Sequence, residues 1–156
     1  MCSSDLLCSL ICPHEKNCMG HCVLNRKGAP IKFYEVETYI STFYLEKAKL
    51  EKAKFNGHRV GIIGAGPAGL TLAIILAKRG YKVTIIDSKD KIGGVLRYGI
   101  PEFRLPKTLL DKLLTRMTEL GILFRPNTLI GPTITIDDMF RDGYDEIGRA
   151  SCRERV

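Results

Sequence analysis

The stretch Val60-Gly61-Ile62-Ile63-Gly64-Ala65-Gly66-Pro67-Ala68-Gly69 decides the fold class of this chain. Its first four residues form a short and almost wholly apolar run, which is typical of a strand buried in a parallel sheet. The pattern G-x-G-x-x-G follows at once, and Pro67 lies near the first turn of a helix predicted over 67–79. The stretch therefore predicts a strand, a tight turn and a helix in succession.

Each glycine of this pattern has a physical reason to be there. The first permits the tight turn, the second lets the backbone approach a pyrophosphate, and the third lets the helix pack on the sheet. A second β-branched run, 83–86, ends at Asp87, where a carboxylate can accept a hydrogen bond from a ribose hydroxyl. The loop alone does not distinguish FAD from NAD(P). The predicted dinucleotide site consists of Gly64, Ala65, Gly66, Pro67, Ala68, Gly69 and Asp87.

The segments after Asp87 continue the alternation of helices and strands. The pattern predicts a helix over 107–120, a strand over 122–125 and a short helix over 137–140. This order with apolar strands predicts an α/β fold, a partial doubly wound, Rossmann-like domain. Before it, a broadly helical spacing of apolar residues begins at Ile31 and fades into a Lys/Glu stretch.

Composition excludes two classes of partner. The net charge of +7, from 24 Lys and Arg against 17 Asp and Glu, is spread along the chain, and the Lys-rich stretch 47–54 alternates with Glu. A solvated helix or linker explains that stretch better than a nucleic-acid interface, which needs a basic stripe with aromatics. No apolar run is long enough to span a bilayer, and no signal peptide is evident. We therefore expect a cytoplasmic protein without nucleic-acid or membrane partners.

Four cysteines near the amino terminus follow the spacing C-x3-C-x5-C-x3-C. They are Cys8, Cys12, Cys18 and Cys22. Disulfides are not expected beside a cofactor fold of cytosolic type. Structural zinc prefers two cysteine pairs set further apart and stays an alternative. Ligation of an iron–sulfur cluster fits better, because Cys12-Pro13 resembles the Cys-Pro ending of ferredoxin cysteine runs. His14 and His21 are interpreted as polar loop residues.

A family resemblance rests on a second segment. Gly93-Gly94-Val95-Leu96-Arg97-Tyr98-Gly99-Ile100-Pro101-Glu102-Phe103-Arg104-Leu105-Pro106-Lys107 closely resembles the signature G-G-x-L-x-Y-G-I-P-x-F-R-L-P-K of the glutamate synthase (NADPH) small-chain family. That family is related to the amino-terminal part of dihydropyrimidine dehydrogenase, and the resemblance spans essentially all of 7–145. It implies that the first glycine loop binds FAD, and that NADPH binds a second loop further on. Gly93, Gly94 and Val95 would run beside the flavin. Arg104 would contact FAD, with a surface arginine as the alternative.

The resemblance also implies a division of the cysteines between clusters. Relatives combine an earlier cysteine group with these residues and bind two 4Fe–4S clusters. Cys12 and Cys18 would serve one cluster and Cys22 the other. The last ligand is left open between Cys8 and Glu37, because some relatives use a Gln or Glu from the following helix. This chain lacks the earlier cysteines, so any metal site in it alone would be partial.

The function implied by the resemblance is electron transfer. NADPH would reduce FAD, and electrons would pass through the clusters to the glutamate synthase large subunit or another electron-accepting subunit, where glutamate forms from glutamine and 2-oxoglutarate. The flavin carries the chemistry, so no side chain is assigned as catalytic. The alternatives are a ferredoxin:NADP oxidoreductase, a dihydropyrimidine dehydrogenase-type subunit, and a non-catalytic cluster- or zinc-binding module.

The two ends resemble translated sequencing adapter. They are MCSSDL at 1–6 and EIGRASCRERV at 146–156, and both are treated as artefacts. Excluding them leaves four of the six cysteines. The predicted organisation is then the carboxy-terminal part of a helical iron–sulfur domain with a linker at 7–55, and a truncated FAD-binding domain at 56–145.

Overall fold

The structure is a computed structural model, and it describes residues 4–47, 49, 51 and 53–150. For residues 4–6 and Cys8 it describes the helical backbone alone. The strands are β1 (Arg59–Ile63), β2 (Lys82–Ile86), β3 (Leu123–Arg125) and β4 (Glu146–Arg149). The α-helices are α1 (Ser4–Ile11), α2 (Phe33–Lys47), α3 (Pro67–Lys78), α4 (Val95–Tyr98), α5 (Thr108–Glu119) and α6 (Ile136–Arg141), and a 3-10 helix spans Val23–Lys27.

The four strands form one parallel sheet in the order β3-β2-β1-β4. Helix α3 connects β1 to β2, α5 precedes β3, and α6 precedes β4. The chain moves outward from β1 to β2 and β3, and then returns to place β4 on the other side of β1. This reversal is the mark of a doubly wound sheet. The predicted α/β fold class is therefore confirmed.

The core lies on both faces of the sheet because the side chains of β1 alternate. Val60 and Ile62 point to the face covered by α3 and α5, where they join the larger apolar cluster. The other face packs against Met139 of α6 and Tyr144. Gly61 lies on that second face, and an added Cβ there would be 2.6 Å from Met139 Cε. The small residue lets α6 approach the sheet.

The cysteine-bearing part contacts the Rossmann-like part through a third apolar cluster. Helix α1 packs against α2 and presents Leu7, Leu10 and Ile11 to the segment 93–107. The buried members of this cluster are Leu96, Leu105 and Leu110. The segment that carries the family signature is thus also the surface on which α1 rests.

Four elements differ from the prediction. Helix α1 lies in a stretch interpreted as cysteine-rich and without hydrophobic period, and α2 ends at Lys47, before the Lys/Glu stretch is complete. The four-residue helix α4 is too short for a periodic signal. Strand β4 opens the adapter-like segment 146–156 and pairs with β1 through the backbone, Val60 opposite Glu146 and Gly61 opposite Ile147.

No helix in the described part of the chain combines the length and the apolar character that crossing a membrane requires.

Candidate functional site

The glycine loop joins β1 to α3 at the carboxyl end of the sheet. Gly64 has a positive φ of 106°, and its N–H donates to Ile86 O at 2.8 Å. A Cβ on Gly69 would lie 1.9 Å from the carbonyl oxygen of Gly64, so packing demands glycine there. A Cβ on Gly66 would meet nothing within 4 Å. The space beside Gly66, at the amino end of α3, is therefore an open cradle of the kind that phosphates occupy.

Asp87 is tied to this loop by its own carboxylate. Oδ2 accepts a hydrogen bond from the N–H of Ala65 at 2.6 Å, and Oδ1 accepts from the N–H of Lys89 at 2.9 Å. Asp87 is half-buried. The structure thus places the predicted ribose partner against the glycine loop, and it adds a second role, that of holding Ala65 in place.

A cavity of about 630 Å³ opens where the strand order reverses. Ligands of open α/β sheets bind at such a point. Its wall includes two residues of the predicted dinucleotide site, Gly64 and Asp87, and also Thr128, Thr135 and Arg149. Thr128 and Thr135 were not predicted, since they come from loops that carry no local sequence signal, whereas Arg149 lies in the adapter-like segment 146–156 that was excluded as an artefact. Only the topology brings them to the site.

The segment 93–107 lies directly on the glycine loop. The N–H of Gly93 donates to Ala65 O at 2.8 Å, and a Cβ on Gly94 would be 3.0 Å from Gly66 Cα. Both glycines have positive φ, 118° and 51°, and the half-exposed Val95 follows them at the start of α4. The structure therefore brings the two predicted stretches together.

Two basic side chains, Arg97 and Lys107, donate hydrogen bonds to backbone carbonyl groups in and next to this segment. Arg97 donates from Nε to Ile92 O at 2.9 Å, and its guanidinium pairs with Asp111 of α5. The ammonium of Lys107 donates to Leu96 O at 2.8 Å and also to Ile100 O. The sequence prediction assigned no role to either residue.

Arg104 lies on the side of the segment that faces α1. It is exposed, and its guanidinium donates to Ile11 O at 3.4 Å. Ile11 directly precedes Cys12, so Arg104 bridges the segment 93–107 and the cysteine stretch. Its contact with FAD stays a prediction.

The three cysteines whose side chains are described lie outside the α-helices, between the end of α1 and the start of the 3-10 helix. Asn17 Nδ2 donates to Cys12 Sγ at 3.2 Å, and Cys18 Sγ lies 4.0 Å from Nδ1 of the buried His14. Backbone N–H groups, first that of Ile31 and then that of Leu24, lower the pKa of the Cys22 thiol below its usual value. A lowered pKa favours the thiolate, the form that binds iron.

These cysteines do not complete a metal site by themselves. Within the described side chains, no three His, Cys, Asp or Glu residues are grouped closely enough to hold a metal ion. The side chain of Cys8 lies outside the described residues, and Glu37 is exposed on α2. The division of Cys12, Cys18, Cys22, Cys8 and Glu37 between clusters therefore stays a prediction, and a complete cluster needs further ligands.

The fold and the site define a class, a Rossmann-like dinucleotide-binding domain preceded by part of an iron–sulfur domain. Comparison with family models agrees. Residues 62–107 match the NAD(P)-binding Rossmann-like domain, and residues 3–49 match dihydropyrimidine dehydrogenase domain II, 4Fe-4S cluster. These matches support an oxidoreductase.

Comparison with individual proteins narrows the resemblance to named relatives. The chain is 35% identical over 144 residues to the glutamate synthase [NADPH] small chain of Escherichia coli K12, covering 90% of this chain and 30% of that protein. It is also 35% identical to the NAD-dependent dihydropyrimidine dehydrogenase subunit PreT of Escherichia coli O157:H7, covering 85% and 33%. The predicted resemblance to the glutamate synthase small-chain family is confirmed. The chain spans about a third of the length of these relatives.

A solved structure supports the fold independently. A 2-naphthoyl-CoA reductase complex matches with a TM-score of 0.52 and 24% identity, over 76% of this chain and 18% of that one.

Proposed function

We propose that this chain is part of an NADPH-dependent FAD and iron–sulfur oxidoreductase. FAD would bind at the glycine loop, and the cysteine stretch would supply ligands to 4Fe–4S clusters. The protein's part in such a reaction is to bind and orient the cofactors and to tune their electronics. NADPH would bind on a part of the parent protein beyond this chain.

The observation that carries the proposal is the packing of α1 on the segment 93–107. That segment lies on the glycine loop through Gly93 and Gly94. On its other side it holds Leu7, Leu10 and Ile11, and the cysteine stretch begins one residue later. One short segment therefore separates the dinucleotide site from the first cysteines, as electron transfer between two cofactors requires.

The residues of the site fit a dinucleotide such as FAD. The cradle at Gly66 leaves room for a pyrophosphate beside the backbone N–H groups that begin α3. Asp87 stands at the end of β2, where a ribose is expected. Bound there, FAD would supply the exchange between the hydride of NADPH and single electrons.

The cysteine stretch fits a cluster only in part. Polar donors near Cys12 and the lowered pKa of the Cys22 thiol suit thiolate ligands, but the described side chains do not gather three ligands in one place. We therefore assign no step to the cluster within this chain, and we expect its missing ligands on the rest of the parent protein.

Two physiological reactions are candidates, because the relatives include both a glutamate synthase small chain and a dihydropyrimidine dehydrogenase subunit. We favour the glutamate synthase small chain, whose partner would be a large subunit that makes glutamate. A pyrimidine-reducing enzyme is the second candidate, supported by the match of residues 3–49 to a dihydropyrimidine dehydrogenase domain. In either case we place the protein in the cytoplasm.

The test begins with the gene amplified from source DNA. We expect neither MCSSDL nor EIGRASCRERV at the corresponding positions, and an apolar strand after Asp145. The full-length protein should show the visible spectrum of a flavin with iron and acid-labile sulfide, and NADPH should bleach it. A protein that takes up no flavin would contradict the proposal and favour a non-catalytic cluster- or zinc-binding module.

Assays with candidate acceptors then separate the two reactions. Glutamate formed from glutamine and 2-oxoglutarate with a large subunit would support the favoured assignment. Reduction of a pyrimidine with no glutamate formed would overturn it in favour of the second candidate. The 156-residue chain alone should oxidise NADPH poorly, because it has no second glycine loop.

A further inference from the structure

We infer that Lys107 is a positioning residue that holds the segment 93–107 closed against the dinucleotide site. The inference rests on the proposed function for its consequence, which is tighter flavin binding. Its structural basis is independent of any ligand, because it lies in hydrogen bonds within the chain.

The segment leaves two backbone carbonyl groups without backbone partners. In a regular helix, Leu96 O would accept from the N–H of Ile100, but that N–H donates to Val95 O at 3.1 Å. Ile100 O would accept from the N–H of Arg104, which donates instead to Pro101 O at 3.1 Å. Leu96 is buried and Ile100 is half-buried, and a backbone carbonyl group without a partner is costly in such surroundings.

The Lys107 ammonium satisfies both carbonyls at once. Nζ donates to Leu96 O at 2.8 Å and to Ile100 O, and the residue is only half-exposed. Leu96, Leu105 and Leu110 are buried close by in one apolar cluster, so water competes little for these bonds. A charged donor makes each bond stronger than a neutral one would be.

The position of Lys107 argues against a role in stabilising helix α5. It directly precedes α5, and a cation at the amino end of a helix opposes the helix dipole. A carboxylate is the favourable group there, and Glu102 supplies one by accepting from the N–H of Lys107 at 3.0 Å. The lysine therefore serves the loop carbonyls, whereas Glu102 serves the start of the helix.

The bonds of Lys107 act on the part of the segment that lies against the ligand. Leu96 is two residues from Gly94, which packs on Gly66, and three from Gly93, which is bonded to Ala65. Holding Leu96 and Ile100 to one ammonium fixes both ends of the turn that follows these glycines. Release of the ammonium would let that turn move away from the dinucleotide site.

The experiment compares Lys107→Met and Lys107→Arg with a matched control, Lys112→Met. Lys112 is an exposed lysine of α5 that pairs with Glu46 at 2.7 Å. Hydrogen exchange is measured at the amides of Tyr98, Gly99 and Ile100, which bond within the segment. FAD affinity is measured by quenching of flavin fluorescence, on the full-length protein with the same substitutions.

We expect Lys107→Met to speed exchange at these three amides by about tenfold or more, the factor for one charge-assisted hydrogen bond. FAD affinity should fall by a similar factor. Lys107→Arg should restore both, and Lys112→Met should change neither.

Unchanged exchange in Lys107→Met would overturn the inference. Faster exchange with undiminished FAD affinity would overturn the role in binding, and a Lys107→Met chain that does not fold would assign Lys107 to global stability instead. If the unaltered full-length protein binds no FAD, the proposed function fails, while the exchange rates still decide whether Lys107 holds the segment.

Discussion

The Rossmann-like half and the cysteine-bearing half of this chain hold their shapes by different means. Every apolar side chain described as buried lies between Val60 and Tyr144. Among the described side chains of 7–47, the buried ones are polar, namely Ser9, His14 and Ser41. Helix α2 instead exposes a stripe of apolar side chains, Phe33, Val36, Ile40 and Phe43.

The two halves draw their stability from different sources. The Rossmann-like half buries enough apolar surface to form a core of its own. The cysteine-bearing half rests on that core through α1 and offers thiols and an uncovered helix face, so metal ligands and further contacts must supply the rest. Metal binding commonly provides folding free energy in such segments.

The largest effect should come from Gly69→Ala in the Rossmann-like half. The new Cβ would lie 1.9 Å from Gly64 O, and backbone on both sides cannot yield, so we expect a loss of about 3 kcal/mol or more. Gly66→Ala is the matched control, because its Cβ meets nothing within 4 Å. Thermal unfolding of both variants measures the difference. Equal melting temperatures would show that the glycine loop is not packed as described.

A second pair of variants tests the comparison itself. Ile62 is fully buried and Ile40 is 42% exposed, so the same change to alanine should have unequal costs. We expect Ile62→Ala to lower the free energy of unfolding by about 2–5 kcal/mol and Ile40→Ala by about 0.5 kcal/mol or less. Urea unfolding gives both values. A comparable cost at Ile40 would mean that α2 is covered.

Asp87 connects β2 to the predicted ligand site, and its replacement should have a smaller effect, seen in FAD affinity. Asp87→Ala removes the acceptor for the N–H of Ala65 and the predicted ribose partner. Losing a charge-assisted hydrogen bond costs about 1.5–3 kcal/mol, or about ten- to a hundredfold in FAD affinity. Titration of the full-length protein measures this, with the surface change Glu119→Ala as control. Unaltered affinity would remove Asp87 from the site.

The smallest effect concerns the cap of α6 and its dependence on pH. Thr135 and Asp138 form a capping box, and hydrogen bonds from the Thr135 side chain and then its backbone lower the pKa of Asp138 below its ordinary value. A lowered folded-state pKa stabilises the fold above the unfolded value and loses that effect as pH falls.

Thr135→Ala should therefore lower the melting temperature by a few degrees at neutral pH. The difference in melting temperature between this variant and the unaltered chain should become smaller in acid. Thr133→Ala is the control on the same loop. A difference in melting temperature that stays constant even where Asp138 becomes protonated would show that Asp138 takes no part in the cap.

The sequence predicted the Rossmann-like half more closely than the cysteine-bearing half because the signals that define the first are local. The ends of β1, α3 and β2 lie within one residue of prediction, since the apolar period and the glycines act locally. The bonds from Asp87 to Ala65 and from Lys107 to Leu96 join residues that only the fold brings together. Helix α1 owes its place to packing on Leu105 and its neighbours, which no local pattern records.

Binding of FAD to the full-length protein with and without a side chain at residue 66 tests the central claim most directly. We expect saturable quenching of flavin fluorescence by the unaltered full-length protein. We also expect Gly66→Ala to lose this binding while its melting temperature stays unchanged, because the new methyl group would fill the open cradle and nothing else. Equal FAD affinity in the two proteins, or no binding by the unaltered one, would contradict a flavin site at the glycine loop.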